Sequence, residues 1–290
     1  MAGTDTNLLQ GVFMNKQFES EGLLHIKQAF KLEEIHSLIE ATDSVLNNSD
    51  NKKDLLSIDA SGHTHKILYP LGKHALFLKS LVHPSILDIL LTTMDNPLEI
   101  VPTWEDVLIK LPFCGIPVTF HQDLALQSSK YDIFSIGIYF HTSKHNPVNY
   151  LPGSHLLGAL TKKQLYEISE ARIKEFVPII AEPGDIIMHK VKTIHYSDTN
   201  ESPFPRYTWY LEFRTLSQLY DDSPWDKDWI LARRAIFAHA LRTYQPAYYR
   251  ELIHDEKILE PYMKQLNLRV PHETENVKYD MESPYNHFAY

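Results

Sequence analysis

At 290 residues and a formal charge of −9, the chain is long enough for one large domain with a substantial core, and it lacks the concentrated basic face of a dedicated nucleic-acid binder. A single cysteine, Cys114, excludes an internal disulfide framework and fits a reducing compartment. The start MAGTDTNLLQ has neither the charge nor the apolar run of a secretory signal, and no run of about 18 apolar residues offers a membrane span. The expectation is a cytoplasmic protein with no nucleic-acid or membrane partner.

Leu23, Leu24 and Ile26 form an apolar run, and Leu32, Ile35, Leu38 and Ile39 recur at helical spacing, which predicts a short strand and then a helix between Phe18 and Leu46. The polar stretch 47–54 predicts an exposed loop. Residues 55–75 show no clear period and read as a long loop of the kind that often serves as a lid, with His63, His65 and Tyr69 as residues that face solvent or substrate. Over 77–95 the apolar face predicts helix, divided at Pro84 because proline suits a first turn better than a helix interior. After Pro97 the texture changes to short apolar runs with Pro and Gly between them: Val107–Leu111, Val118–Phe120, Ile133–Phe140, Phe176–Ile180, Ile186–Val191 and Tyr207–Phe213. Such strands predict a sandwich or barrel. Beyond Ser217 two helices are expected, one from Trp225-Asp226 to Ala240 and one from Pro246 to Lys264, followed by a polar, aromatic tail over 270–290 suited to a surface wrap or an oligomer contact. The expected organisation is one domain over 1–290: a supporting segment (1–97), a β core (98–216) and a helical C-terminal extension (217–290).

The chemistry concentrates in the β-rich part. His121 and Asp123 directly follow the apolar run Val118-Thr119-Phe120, so on a strand their side chains share a face. In a chain with 16 histidines that pattern is weak alone. Downstream, Pro183-Gly184-Asp185 predicts a tight turn feeding a strand, with His195 at or past the strand's far end. His141, His145, His155 and His189 compete for the third position, and mid-strand His189 is the serious rival. Arg206 decides for His195, since a loop through Asn200 and Pro203 returns the chain on the adjacent antiparallel strand and sets a guanidinium behind the site. Two imidazoles and one carboxylate leave metal positions open, as non-haem Fe(II) oxygenases require. The planar fork of an arginine suits the carboxylate of a cosubstrate.

The pieces FHQDLAL (120–126), LPGSHLLG (151–158), PGDIIMHKVKTIHYSDTN (183–200) and PRYTWYLEF (205–213), with the N-terminal EGLLHIKQAFKLEEIHSLIE (21–40), resemble in order and spacing the phytanoyl-CoA dioxygenase family, a branch of the Fe(II)/2-oxoglutarate oxygenases. The resemblance covers roughly residues 15–216 and implies a mainly β fold with flanking helices around a double-stranded β-helix, the jelly-roll, cupin-like core. It implies iron ligands His121, Asp123 and His195, and a cosubstrate site at Arg206 with Ser197 and Lys110. Fe(II), 2-oxoglutarate and O2 are the implied cofactors, with ascorbate in support, and 2-oxoglutarate would leave as succinate and CO2. The retained Asp123 favours hydroxylation, or another outcome of hydrogen abstraction, over halogenation. One departure is His145-Asn146-Pro147-Val148-Asn149, where many members carry a Glu-Asn-Gly-type turn.

The acidic balance points to a small metabolite or natural-product intermediate of secondary metabolism as substrate, met by Gln122, Leu124, Tyr139 and the 219–229 segment with Trp225, while the C-terminal extension is a candidate homo-oligomer contact. A rival reading is a cupin-like metal-dependent isomerase or binding protein that does not use 2-oxoglutarate, in which Arg206 pairs with Glu212 or Asp198. A third is a silent scaffold.

Overall fold

The computed structural model describes residues 16–47, 55–58, 63–123 and 130–267. They divide into two compact units. The first comprises the described residues within 1–40, 53–68 and 104–213, and the second those within 41–52, 69–103 and 214–290.

Two antiparallel sheets dominate the first unit. The larger joins β1 (Leu23–Ile26), β9 (Ile186–Lys190), β6 (Phe134–Tyr139), β11 (Arg206–Thr215), β4 (Ile100–Lys110), β3 (Thr64–Leu68) and β2 (Leu55–Ile58), in that order across the sheet. In the smaller sheet the order is β5 (Val118–His121), β10 (His195–Ser197), β7 (Val148–Tyr150) and β8 (Val177–Ile179). Both match the mainly β, jelly-roll expectation. β6 lies inside the larger sheet and is buried along its whole length, which explains its continuous apolar run. Its one gap, Gly137, is filled from across the strand pair: a Cβ there would sit 2.8 Å from the Tyr210 ring. Leu23, Tyr139, Val148, Tyr150, Ala181 and Ile187 form a buried cluster drawn from strands of both sheets.

The turn before β9 is fixed by Asp185, whose carboxylate accepts the N–H groups of Gln28 (2.8 Å) and Glu182 (2.9 Å) and contacts His25 Nε2 at 2.7 Å. Gly184 there has φ +92°, and a Cβ would come 2.4 Å from the Phe30 carbonyl oxygen, so only glycine fits. This turn ties β1 and the residues after it to the start of β9.

One expectation is corrected, and three elements were not foreseen. Residues 55–75 contain β2 and β3 rather than one long loop; Thr64-His65-Lys66-Ile67-Leu68 is a strand whose alternation is masked by polar residues on both faces, and His65 is buried. A helix over Lys162–Ala171 (α4) was not anticipated, although Thr161 and Gln164 close a reciprocal capping box at its start. β7 and β10, three residues each, are too short for a periodic signal. The 47–54 loop and the 270–290 tail lie outside the described residues.

In the second unit, α2 (Ala75–Leu81) and α3 (Pro84–Thr93) divide at Pro84 as expected, and α1 (Leu32–Asn47) ends in this unit. The C-terminal helices are α5 (Leu216–Asp221), α6 (Lys227–Tyr244), α7 (Pro246–Leu252) and α8 (Glu256–Asn267). The single helix expected over 246–264 is interrupted because Asp255 does two other jobs: its carbonyl caps the start of α8 and its carboxylate receives the buried Arg234. Arg234 also donates to the carbonyls of Leu98, Ile100 and Leu252, so a buried guanidinium closes several orphaned chain ends at once. No single described helix is long and apolar enough to cross a membrane.

Candidate metal centre

β5 and β10 pair so that His121 and His195 stand directly opposite each other, with ring centroids 4.0 Å apart. The two histidines use the same anchoring device. His121 Nδ1 lies 2.8 Å from the carbonyl of Thr119, and His195 Nδ1 lies 3.0 Å from the carbonyl of Thr193, in each case the residue two earlier. A carbonyl can only accept, so each Nδ1 carries a proton there and Nε2 is the ring nitrogen left to meet a cation. Asp123 follows β5 immediately and is held by its N–H on the Val191 carbonyl at 2.8 Å. Its carboxylate lies 3.4 Å from His121 Nε2 and 3.8 Å from His195 Nε2. The ligand-type atoms of His121, Asp123 and His195 fall within 4.8 Å of one another.

The electrostatics match the donor set. Burial pushes the Asp123 carboxyl up, but His195, His121 and His189 around it outweigh burial and hold it well below the usual carboxylate range. Burial, with the nearby His121 and His189, lowers His195 to about 3, so its imidazole is neutral. For His121 burial acts downward, and the hydrogen bond and charge of Asp123 turn the net shift upward. An ionised carboxylate beside imidazole lone pairs is the form that binds a divalent cation.

His189 is placed differently from the expected rival ligand. It projects from β9 of the larger sheet, is fully buried, and its Nε2 meets Asp123 Oδ2 at 2.8 Å. Tyr150 packs against both His189 and His195, with ring centroids 5.4 and 5.2 Å away.

Arg206 also differs from expectation in its route. β10 and β11 belong to different sheets, so Arg206 is not on the strand beside His195; the loop between them crosses from one sheet to the other. Asn200 fixes that crossing, its Nδ2 donating to the carbonyls of Lys110, Leu111 and Phe204. Arg206 is buried, and its Nη1 donates to the Asn146 carbonyl at 2.7 Å, within the segment where this chain departs from the family turn. Its Nε and Nη2 have no partner among the described residues, nor does the Thr208 hydroxyl; the Tyr139 hydroxyl faces those of Tyr150 and Tyr210, too loosely for a well-formed hydrogen bond. Arg206 is close enough to Tyr139, Tyr150 and Tyr210 for its charge to pull their phenols down, against burial, which pushes all three up. Tyr139, expected to meet substrate, therefore belongs to the Arg206 cluster, while Tyr150 and Thr208 were missed altogether.

Lys110 is buried with its ammonium on the carbonyls of Ser197 (3.4 Å) and Asp198. Burial, then the nearby Arg206, lower it to about 7 against the opposing pull of Asp198. Ser197 is buried two residues past His195, beyond a register shift that re-aims β10 against β5. Gln122 projects away from the open side and is fully used as a clamp: its Nε2 donates to the carbonyls of Gly158 and Lys192, and its Oε1 accepts from Leu160 N–H. Leu124 lies outside the described residues. Trp225, in the second unit, is buried, stacks on Trp229 at 4.5 Å and lies 5.0 Å under the Arg214 guanidinium. His155 is a structural hydrogen-bonder on the Glu19 carbonyl at 3.0 Å.

The chain matches the phytanoyl-CoA dioxygenase (PhyH) family over residues 18–208. No curated protein sequence matches it. Among solved structures, EctD from S. alaskensis, crystallised with 2-oxoglutarate and 5-hydroxyectoine, is similar at a TM-score of 0.61 and 17% identity, over 72% of this chain and 76% of that one. SnoK, a non-haem alpha-ketoglutarate-dependent carbocyclase from nogalamycin biosynthesis, gives 0.58 and 18% over 69% and 82%. EvdO2 from Micromonospora carbonacea var. aurantiaca, complexed with 2-oxoglutarate, gives 0.55 and 20% over 70% and 90%. At these identities the likeness is one of fold.

Proposed function

The chain belongs to the phytanoyl-CoA dioxygenase family and is a non-haem Fe(II)/2-oxoglutarate-dependent oxygenase, and from that premise we propose that it hydroxylates, or otherwise oxidises by hydrogen abstraction, a small polar metabolite or natural-product intermediate. The observation that carries this reading is the convergence of two backbone-anchored imidazole Nε2 atoms on one ionised carboxylate. The residues fit both partners. His121, Asp123 and His195 would hold Fe(II), and the unpartnered Nε and Nη2 of Arg206 form a fork left open for a carboxylate. Ser197 and Lys110 line the same end of the interior. Bound iron with 2-oxoglutarate supplies the oxidising power, the cosubstrate leaving as succinate and CO2. The chain contributes position and charge: the Thr119 and Thr193 carbonyls fix the imidazole tautomers, Asp123 offsets the cation's charge, and the bulk of the buried interior excludes water from the Arg206 end.

The substrate side of the reading rests on residues outside the sequence expectation. Lys66 on β3 is near enough to His121 for its charge to oppose that imidazole's protonation. It donates to Asp106 Oδ2 at 2.8 Å, which also accepts Trp104 Nε1 at 3.1 Å, while the buried Asp106 Oδ1 has no donor among the described residues. A buried carboxylate oxygen without a donor among the described residues calls for one, and this reading assigns that role to a substrate hydroxyl or amine. Asp106→Ala should keep succinate formation in the absence of substrate yet lose its stimulation by hydroxyl- and amine-bearing compounds; equal stimulation in variant and wild type would exclude this assignment.

The activity is tested by anaerobic titration of the metal-free protein with Fe(II) and 2-oxoglutarate. The expected result is a weak visible charge-transfer band that needs both components and disappears in His195→Ala. Metal binding without that band would favour the cupin-like alternative, in which 2-oxoglutarate is not used.

A further inference from the structure

We propose that His189 is a positioning residue for the metal centre: a hydrogen-bond donor from the opposite sheet that locks the Asp123 carboxylate in one orientation. This rests on the assignment of Asp123 as a metal ligand.

Three observations converge on it. Asp123 stands just beyond the end of β5, outside strand pairing, and apart from its own N–H on Val191 its side-chain orientation depends on what its oxygens meet. His189 Nε2 meets Oδ2 at 2.8 Å, a shorter contact than either triad histidine makes with that carboxylate. His189 cannot swing away, because it is 0% exposed in the middle of β9, with Ser135 and Leu23 opposite it on the two neighbouring strands and the Tyr150 ring packed against it.

The chemistry gives the contact a direction. An ionised carboxylate only accepts, so His189 Nε2 carries the proton and donates, and its lone pair is at Nδ1. A nitrogen whose proton points at Asp123 is not a metal ligand, which separates His189 from the triad despite ring centroids 4.7 Å from His195. Its Nδ1 is buried without a partner among the described residues. A phenylalanine or leucine would bury the same space in β9 with no orphaned nitrogen, so the side chain is costly to the fold alone, and the benefit lies at Asp123. With Oδ2 engaged by His189, Oδ1 is the carboxylate oxygen left to serve as a metal ligand.

Co(II), a redox-stable spectroscopic substitute for Fe(II), provides the test in the full-length protein. His189→Phe should weaken Co(II) affinity roughly 10- to 100-fold, the usual effect of losing an outer partner of a metal ligand, while the melting temperature of the metal-free protein does not fall. His189→Gln, which restores an N–H donor, should recover most of that affinity. His189→Leu serves the same comparison where the phenyl ring overfills the site. Wild-type affinity in both apolar variants would overturn the proposal. So would a loss that Gln does not rescue together with a third imidazole in the Co(II) X-ray absorption spectrum, since His189 would then be a ligand. If instead Asp123→Ala leaves Co(II) binding intact, the triad assignment itself fails, and the proposal with it.

Discussion

The two ends of the space between the sheets treat polar groups in opposite ways. At the metal end the Nδ1 atoms of His121 and His195 are held by backbone carbonyls and Asp123 is held by His189, while His189 Nδ1 is buried with no partner among the described residues. At the Arg206 end two guanidinium nitrogens and the Thr208 hydroxyl are buried without partners among the described residues, and the hydroxyls of Tyr139 and Tyr150 meet only each other and Tyr210, loosely. The first cluster is assembled by folding alone and presents lone pairs to a cation. The second is the cluster that, on the proposed reading, a carboxylate acceptor would complete. Unsatisfied buried donors cost about 1–3 kcal/mol each, so on the proposed reading a dicarboxylate at Arg206 would relieve that cost and gain binding energy from it.

Arg206→Lys is the severest way to break this contrast. A lysine offers a point charge in place of the fork, and loss of a charge-assisted hydrogen bond costs about 1.5–3 kcal/mol, which corresponds to a roughly 10- to 100-fold rise in the 2-oxoglutarate KM. Metal affinity should hold, because no triad atom touches Arg206. An unchanged KM would mean that Arg206 is structural and would move the cupin-like reading forward. Arg206 reaches neither Glu212 nor Asp198 through a side-chain contact; its one hydrogen bond goes to the Asn146 carbonyl, which is evidence against the pairing that reading needs.

The contrast also accounts for what was legible in the sequence. His121, Asp123 and His195 could be found because their chemistry is carried by residue type, and the short spacing of His121 and Asp123 survives any register of one strand. The path from His195 to Arg206 could not be read correctly, since a loop of that length closes equally well onto the neighbouring strand or onto the facing sheet, and only the fold chooses. His189 looked like a competing ligand because a sequence does not show that its strand belongs to the other sheet. Tyr150 escaped notice in a three-residue strand too short for periodicity, and Lys66, Trp104 and Asp106 because part of their surroundings had read as a loop. Gln122 was misplaced for a simpler reason: alternation along β5 sends it to the face opposite His121 and Asp123, where backbone groups use its whole amide.

Tyr150→Phe is the smallest change and the most discriminating. The ring that packs on His195 and His189 is retained, and only a buried hydroxyl with no well-formed hydrogen bond among the described residues is removed. At a site whose polar groups satisfy one another such a deletion is destabilising. Here it should leave the metal-free melting temperature unchanged or raise it, by about 2–4 °C per kcal/mol gained, while weakening 2-oxoglutarate binding up to about tenfold, the range of one neutral hydrogen bond. Calorimetry of the metal-free protein and the 2-oxoglutarate dependence of succinate formation measure the two effects separately. Opposite signs for stability and cosubstrate affinity would show that the hydroxyl is held in reserve for the ligand. A lower melting temperature with unaltered 2-oxoglutarate dependence would place it in the fold's own hydrogen bonding, and the contrast between the two ends would then reduce to Arg206 alone.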